Sequence, residues 1–271
     1  MSAGGKEPAE AGGSAHSRKI RCVLIAGGKY HDIDFARLEL LKLLAGDERV
    51  RVRVFEDYDH LEAIAQADFI VTYTCDVIPP LAAQEALRVF LERGGRWYAL
   101  HGTNSILRWL GDGRIDSPRW APLFMQTLGS MFVAHPPIAP YTVTVADPSH
   151  PLVECVGPFE ATDELYLMET YGPLHVLLET QFDGAASGFV EDHWPNGTHP
   201  VMYLKRHGLG AVLYLTLGHC RGHYDLEPLM DYWPTVDRCA WDLPVFRDLL
   251  KRGIAWAGEA VAGRTADGRG V

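Results

Sequence analysis

Residues 18–105 read RKIRCVLIAGGKYHDIDFARLELLKLLAGDERVRVRVFEDYDHLEAIAQADFIVTYTCDVIPPLAAQEALRVFLERGGRWYALHGTNS, and the fold is decided there. RKIRCVLIAGG is a β-branched run stopping at two glycines, the pattern of a buried strand that leads into a loop. DFARLELLKLLAG places Phe35, Leu38, Leu41 and Leu44 at helical spacing, with Gly46 as the stop. VRVRVFED alternates as a second strand, HLEAIAQA reads as a short helix, and ADFIVTYT as a third strand. PPLAAQEALRVFLERGG starts on proline and ends on glycine, the asymmetry of a helix, and GRWYALHG is a fourth strand. Strands and helices alternating over such short connections imply an α/β fold, a mainly parallel sheet with helices on both faces. Functional loops then gather at the carboxyl ends of the strands.

The second half is less regular. WAPLFMQTLG looks helical, while residues 131–151 hold too many prolines for a central element. YTVTVAD, FEATDELYLM, HVLLETQF, HPVMYLKRHG and GAVLYLTLGH each read as strands, the last two joined by a hairpin at Gly208–Gly210. Residues 242–257 form a closing amphipathic helix. This half adds strands to the same sheet, so one domain is expected over 19–258, with flexible tails at 1–18 and 259–271.

Composition narrows the function. Of 271 residues, 47% are apolar and 22% charged, enough for a packed core. The formal charge of -10 and the lack of a basic run argue against a nucleic-acid partner. No apolar stretch approaches the ~20 residues of a membrane span. The N-terminus lacks the apolar centre of a signal peptide, so a cytoplasmic protein with no membrane partner is expected. Cys22, Cys75, Cys155, Cys220 and Cys239 form no CxxC pair, against a zinc knuckle or a disulfide framework.

Twelve histidines are the informative excess. His31 and Asp32 follow the first strand, His101 ends the fourth, and His219 ends AVLYLTLG. In a parallel sheet all three project from one edge, although a lone histidine is more often packed or solvated. His101, before Gly102, Thr103, Asn104 and Ser105, occupies a sharp strand-to-helix turn where a nucleophile elbow holds Ser or Cys. Imidazole there suits proton transfer or metal ligation, and the N–H groups opening the next helix would favour negative charge. The plain alternative is a turn whose helix is capped by Thr103 or Asn104.

Asp163 and Glu164 interrupt an apolar run, and on a strand only one of two neighbours enters a given pocket. A carboxylate beside histidines serves as a base, orients an imidazole or binds a divalent cation. His135 lies in a proline-stiffened loop able to cover a crevice, whereas His199, His207 and His223 read as surface residues. Trp97, Trp109, Trp120, Trp194, Tyr166 and Tyr203 offer flat surfaces for sugars, or simply pack. The expected catalytic set is His31, His101, Glu164, Asp163 and His219, with Asp32, Thr103, Asn104, His135 and Tyr166 binding substrate. GxGxxG, the phosphate-binding GxxxxGK[ST] loop and HExxH are all absent. A divalent metal is chemically open to the histidines and a carboxylate, but ligands this dispersed leave no spacing signature, and no other cofactor is indicated.

VLIAGGKYHD, YALHGTNS, AHP, TDELY, HPVMYLKRHGLGAVLYLTLGH and the closing helix together resemble the ThuA-like (trehalose utilisation) family across most of residues 20–257. The resemblance implies a flavodoxin-like fold akin to class I glutamine amidotransferases, and a link to sugar catabolism and oxidised (3-keto) disaccharides. In the amidotransferases a Cys sits at the elbow and a His-x-Glu pair follows a late strand. Here His101 holds the elbow and Arg221 stands where that Glu would be, so a thiol glutaminase is not expected. Met202-Tyr203-Leu204 also replaces a family Trp on what the resemblance makes the sugar-facing surface. The expected function is an enzyme handling a sugar or oxidised glycoside by His/carboxylate acid–base chemistry without a Cys nucleophile, a homo-oligomer being compatible with it. A non-catalytic sugar- or partner-binding module and a metal-dependent hydrolase on the same histidines are the alternatives.

Overall fold

A computed structural model describes residues 19–222 and 236–266. The first half runs β1 (Ile20–Gly28), α1 (Ile33–Leu44), β2 (Val50–Phe55), α2 (Leu61–Gln66), β3 (Phe69–Cys75), α3 (Leu81–Glu92) and β4 (Arg96–Leu100). The second adds a small hairpin, β5 (Arg108–Trp109) and β6 (Ile115–Asp116), then α4 (Pro122–Leu128) and β7 (Ser130–Ala134). It continues through β8 (Ala139–Val145), β9 (Phe159–Asp163), β10 (Leu167–Thr170), β11 (His175–Ala185), β12 (His193–His207), β13 (Gly210–Leu215) and α5 (Pro244–Ala266).

Nine strands form one sheet in the order β2-β1-β3-β4-β13-β12-β11-β8-β9. The first five are mutually parallel, and every later pairing is antiparallel. The period of two along β1 divides the core: Cys22, Leu24 and Ala26 pack on the face covered by α1 and α5, Val23 and Ile25 on the opposite one. Central β3 is buried along its whole length, as a strand covered on both faces must be, while edge β2 is half exposed.

Three elements differ from the sequence reading. On α1 the inward stripe is Ala36, Leu40 and Leu44, and Leu38 is 52% exposed. Leucines occupy several faces of this helix, so spacing alone left its phase open. The run FEATDELYLM breaks after Asp163, with β9 pairing β8 in the large sheet and β10 pairing β7 in a separate two-stranded one. Asp163 Oδ1 accepts the N–H of its own neighbour Glu164 at 2.8 Å, a local bond that competes with the extended ladder. The closing helix starts at Pro244, after a 3₁₀ turn over Cys239–Asp242, and continues to Ala266. Residues 1–18 and 267–271 and His223 lie outside the described residues.

Candidate functional site

Because β1, β4 and β13 are parallel, their carboxyl ends share one edge of the sheet, and the loops leaving them carry His31, His101 and His219. The three rings meet. Centroids lie 4.7 Å apart for His31–His101, 4.9 Å for His31–His219 and 5.7 Å for His101–His219. Glu164, at the break between β9 and β10, completes the group. Its Oε1 is 3.1 Å from His219 Nδ1 and 3.5 Å from His135 Nε2, and its Oε2 is 3.4 Å from His101 Nε2.

Each loop is held by its own chemistry. His101 sits at φ +42°, a left-handed conformation costing on the order of 1–3 kcal/mol for a non-glycine residue. The hydroxyl of Tyr214 donates to its carbonyl, and its Nδ1 lies 2.6 Å from the Thr216 carbonyl. Gly102 follows by necessity, since a Cβ there would come within 2.6 Å of the Thr74 carbonyl oxygen and 2.8 Å of Cys75 Cβ. Gly218 (φ +123°) bends the chain ahead of His219. Its carbonyl accepts from Tyr73 Oη and Trp241 Nε1, both at 2.8 Å.

Asp163 is a fastener. Buried to 1% exposure, its carboxylate accepts from the backbone N–H groups of Gly218 (2.9 Å), His219 (3.1 Å) and Ala240 (3.2 Å), besides Glu164. Burial pushes its carboxyl up, and the charges of His101 and His219 offset part of that. Glu164 behaves oppositely. Burial alone would raise it, but the charges of His135 and His219 and the contact with His101 hold it well below the usual carboxylate range. Burial, then the charges of His101 and His219, push His31 well down. Burial also opposes a charged His101, but the hydrogen bond and charge of Glu164 outweigh it and raise that imidazole.

A pocket of about 690 Å³ opens onto this group, within the size range of small-molecule sites. His31, Glu164, Tyr166, Ser105 and Cys75 line it, with Tyr30, Trp109, Phe132 and Phe189 as aromatic wall. His135 and the Arg221–Asp237 ion pair, 2.9 Å, also line it. His101 and His219 do not; they contact His31 and Glu164, which do.

Several expected substrate contacts are turned away from the pocket. Asp32 caps α1, accepting from the Phe35 N–H at 3.1 Å, and pairs with Arg238 at 2.9 Å. The Thr103 hydroxyl lies 2.7 Å from the Leu100 carbonyl and 3.1 Å from Thr72 Oγ1. Asn104 donates to Ser130 Oγ and accepts from Tyr214 Oη, each at 2.8 Å. All three are buried with internal partners and none lines the pocket, Asp32 because it caps α1 and Thr103 and Asn104 because the turn after His101 folds inward. That turn is a four-residue 3₁₀ helix, His101–Asn104, too short to present the expected row of N–H groups to an anion. Trp97 and Tyr203 are fully buried, and Met202 with Tyr203 belongs to the core rather than to a sugar-facing surface. His135 and Tyr166 do face the pocket. Missed in the sequence were Tyr30, Ser105, Phe132, Phe189 and the Arg221–Asp237 pair; Tyr30, adjacent to His31 in GGKYHD, carried the one available signal.

A sequence model of the ThuA family, described as trehalose utilisation, matches residues 22–232. A comparison with curated proteins finds no match. Among solved structures, a protein called ThuA-like from Bacteroides uniformis superposes with a TM-score of 0.61 at 17% identity, covering 92% of this chain and 95% of that one. Another called ThuA-like, from Parabacteroides merdae, gives 0.60 at 19% identity, covering 89% and 90%. A β-galactosidase from Rahnella sp. R3 gives 0.53 at 12% identity, with 92% of this chain matching 31% of that enzyme. At these identities the likeness is one of fold.

Proposed function

This chain belongs to the ThuA, trehalose utilisation, family, and from that premise we infer that it is an enzyme of carbohydrate utilisation whose reacting centre is the histidine–glutamate cluster at the pocket floor. One observation carries the reading. Glu164, buried to 6% exposure yet facing the pocket, is ringed by imidazoles of His101, His135 and His219 at 3.1–3.5 Å. A carboxylate buried at that cost, beneath aromatic walls able to stack on a sugar ring, suits proton transfer on a neutral polyhydroxylated substrate.

An oxidised glycoside fits this chemistry best. A ketone acidifies the hydrogen on its neighbouring carbon, so a base at the pocket can promote elimination or isomerisation without a nucleophile, with Glu164 as the charge that steadies the imidazoles around it. Cys75 is the thiol at the pocket, and burial pushes it well up, away from the reactive thiolate. That His31, His135 and Tyr166 line the pocket with Glu164 supports a role for them in touching substrate, with His101 and His219 acting through them. The five cysteines are unpaired, and no helix among the described residues is long and apolar enough to cross a membrane. Free thiols favour the cytoplasm as the working compartment.

The test is incubation of purified protein with paired oxidised and unoxidised disaccharides, followed by mass spectrometry. Consumption of an oxidised member, lost in Glu164→Gln without loss of fold, is the expected result. Binding of a sugar with no turnover in any variant would make the chain a binding module instead.

A further inference from the structure

We propose that His31, His101, His219 and Glu164 form a binding site for one divalent transition-metal cation of the zinc class. It deepens the reading of the cluster as reacting centre and rests on that reading for its catalytic meaning, but not for the site itself. Each of the four offers one ligand atom, and those atoms all lie within 4.8 Å of one another. Ligands about 2.0–2.1 Å from a tetrahedral cation stand about 3.4 Å apart, so the side chains need little movement. Three imidazoles and a carboxylate are a donor set that suits zinc and its neighbours rather than magnesium or calcium.

Hydrogen bonding supplies the independent argument. His31 Nδ1 lies 3.1 Å from the Lys29 carbonyl, and His101 Nδ1 lies 2.6 Å from the Thr216 carbonyl. A carbonyl only accepts, so both Nδ1 atoms carry hydrogen. In the neutral rings both Nε2 atoms then turn lone pairs toward each other across 2.8 Å, the Tyr166 hydroxyl also lying 3.2 Å from that of His101. A cation between them removes the repulsion, and an Nδ1–H donated to a backbone carbonyl is the usual support of a metal-bound imidazole. His219 adds to this. It is 1% exposed; among the described residues its Nε2 has no hydrogen-bond partner, and its Nδ1 has only the 3.1 Å approach to Glu164. An orphaned buried imidazole is costly unless a ligand completes it.

The site also explains why His101 and His219 stand off the pocket. A general base must reach the substrate, whereas a ligand need reach only the cation. His31 and Glu164 line the pocket, so a cation held here could polarise a substrate oxygen only by taking it as a fifth ligand, with His135 and Tyr166 beside it to move protons.

The experiment uses the full chain without a histidine tag, stripped by dialysis against dipicolinate and titrated calorimetrically with Zn²⁺. One equivalent should bind, and His219→Gln and Glu164→Gln should each weaken binding at least about 100-fold. His175→Gln, in an exposed His150–His175–Asp147 group, should bind as the parent does. X-ray absorption on the Zn²⁺-loaded parent, which needs no variant to fold, should show three imidazole ligands and one oxygen. No saturable binding, equal binding by folded His219→Gln and Glu164→Gln, or fewer than two imidazoles at the metal overturns the site. Undiminished sugar turnover in stripped protein overturns the catalytic meaning of the metal, not the site, and leaves the carbohydrate reading standing. Tight Zn²⁺ binding at these ligands with no sugar consumed does the reverse.

Discussion

The parallel and antiparallel halves of the sheet contribute to the site in different ways. The parallel half delivers His31, His101 and His219 from three strand ends that topology alone places on one edge. The second half delivers Glu164 and Tyr166 from a break between two strands, and His135 from the residue after β7. Regular structure brings imidazoles together; an irregularity supplies the carboxylate that gives them a charge to work with. The adjacent pair Asp163 and Glu164 divides the labour at that irregularity, one holding backbone and the other meeting side chains.

The sharpest way to break this division is to exchange the two acids. Glu164→Gln keeps the shape but removes the charge from the centre, and turnover of an oxidised glycoside is expected to fall on the order of 10³-fold. Thermal stability should change little by comparison. Asp163→Ala should do the opposite, since four backbone N–H groups lose their acceptor in a buried place. A loss of about 3 kcal/mol in urea unfolding is expected, and a loss below about 1 kcal/mol would mean that the 216–220 loop does not depend on Asp163. Gly102→Ala probes the parallel side. A methyl group forced within 2.6 Å of the Thr74 carbonyl displaces the turn that carries His101, costing about 2 kcal/mol on the same measurement.

The contrast between the halves also explains how much was legible. Period and punctuation in residues 18–105 located four strands and three helices, and parallel topology then brought the three histidines together without any knowledge of packing. Side-chain direction was not legible. His101 is followed by a turn that folds into the core, so Thr103 and Asn104 satisfy buried partners rather than a ligand. Nor could alternation along a strand separate Asp163 from Glu164, because the strand ends between them. The aromatic wall comes from the β1–α1 loop, β7, the β5–β6 hairpin and the loop around Phe189, segments distant in sequence with no periodic signal. Trp109 is the most accessible of these, 44% exposed, with its Nε1–H donated to Tyr30 Oη at 3.0 Å. Trp109→Ala should therefore raise KM several-fold and leave kcat within about twofold, a stacking loss of ~1 kcal/mol.

The smallest effect is expected at Asp32, where the sequence and the structure disagree about purpose. Following β1 beside His31, it reads as a substrate contact; folded, its two oxygens are divided between the Phe35 N–H at 3.1 Å and Arg238 at 2.9 Å. Asparagine retains an oxygen for the helix cap and loses only the charge opposite Arg238, whereas alanine loses both. Asp32→Asn should thus cost less stability than Asp32→Ala, for which the cap alone predicts about 1 kcal/mol. Neither should change KM beyond about twofold, since the carboxylate faces α1 and Arg238 rather than the pocket. A larger rise in KM for Asp32→Asn at unchanged stability would return this residue to the substrate, and would extend the site along the loop between β1 and α1 beyond His31.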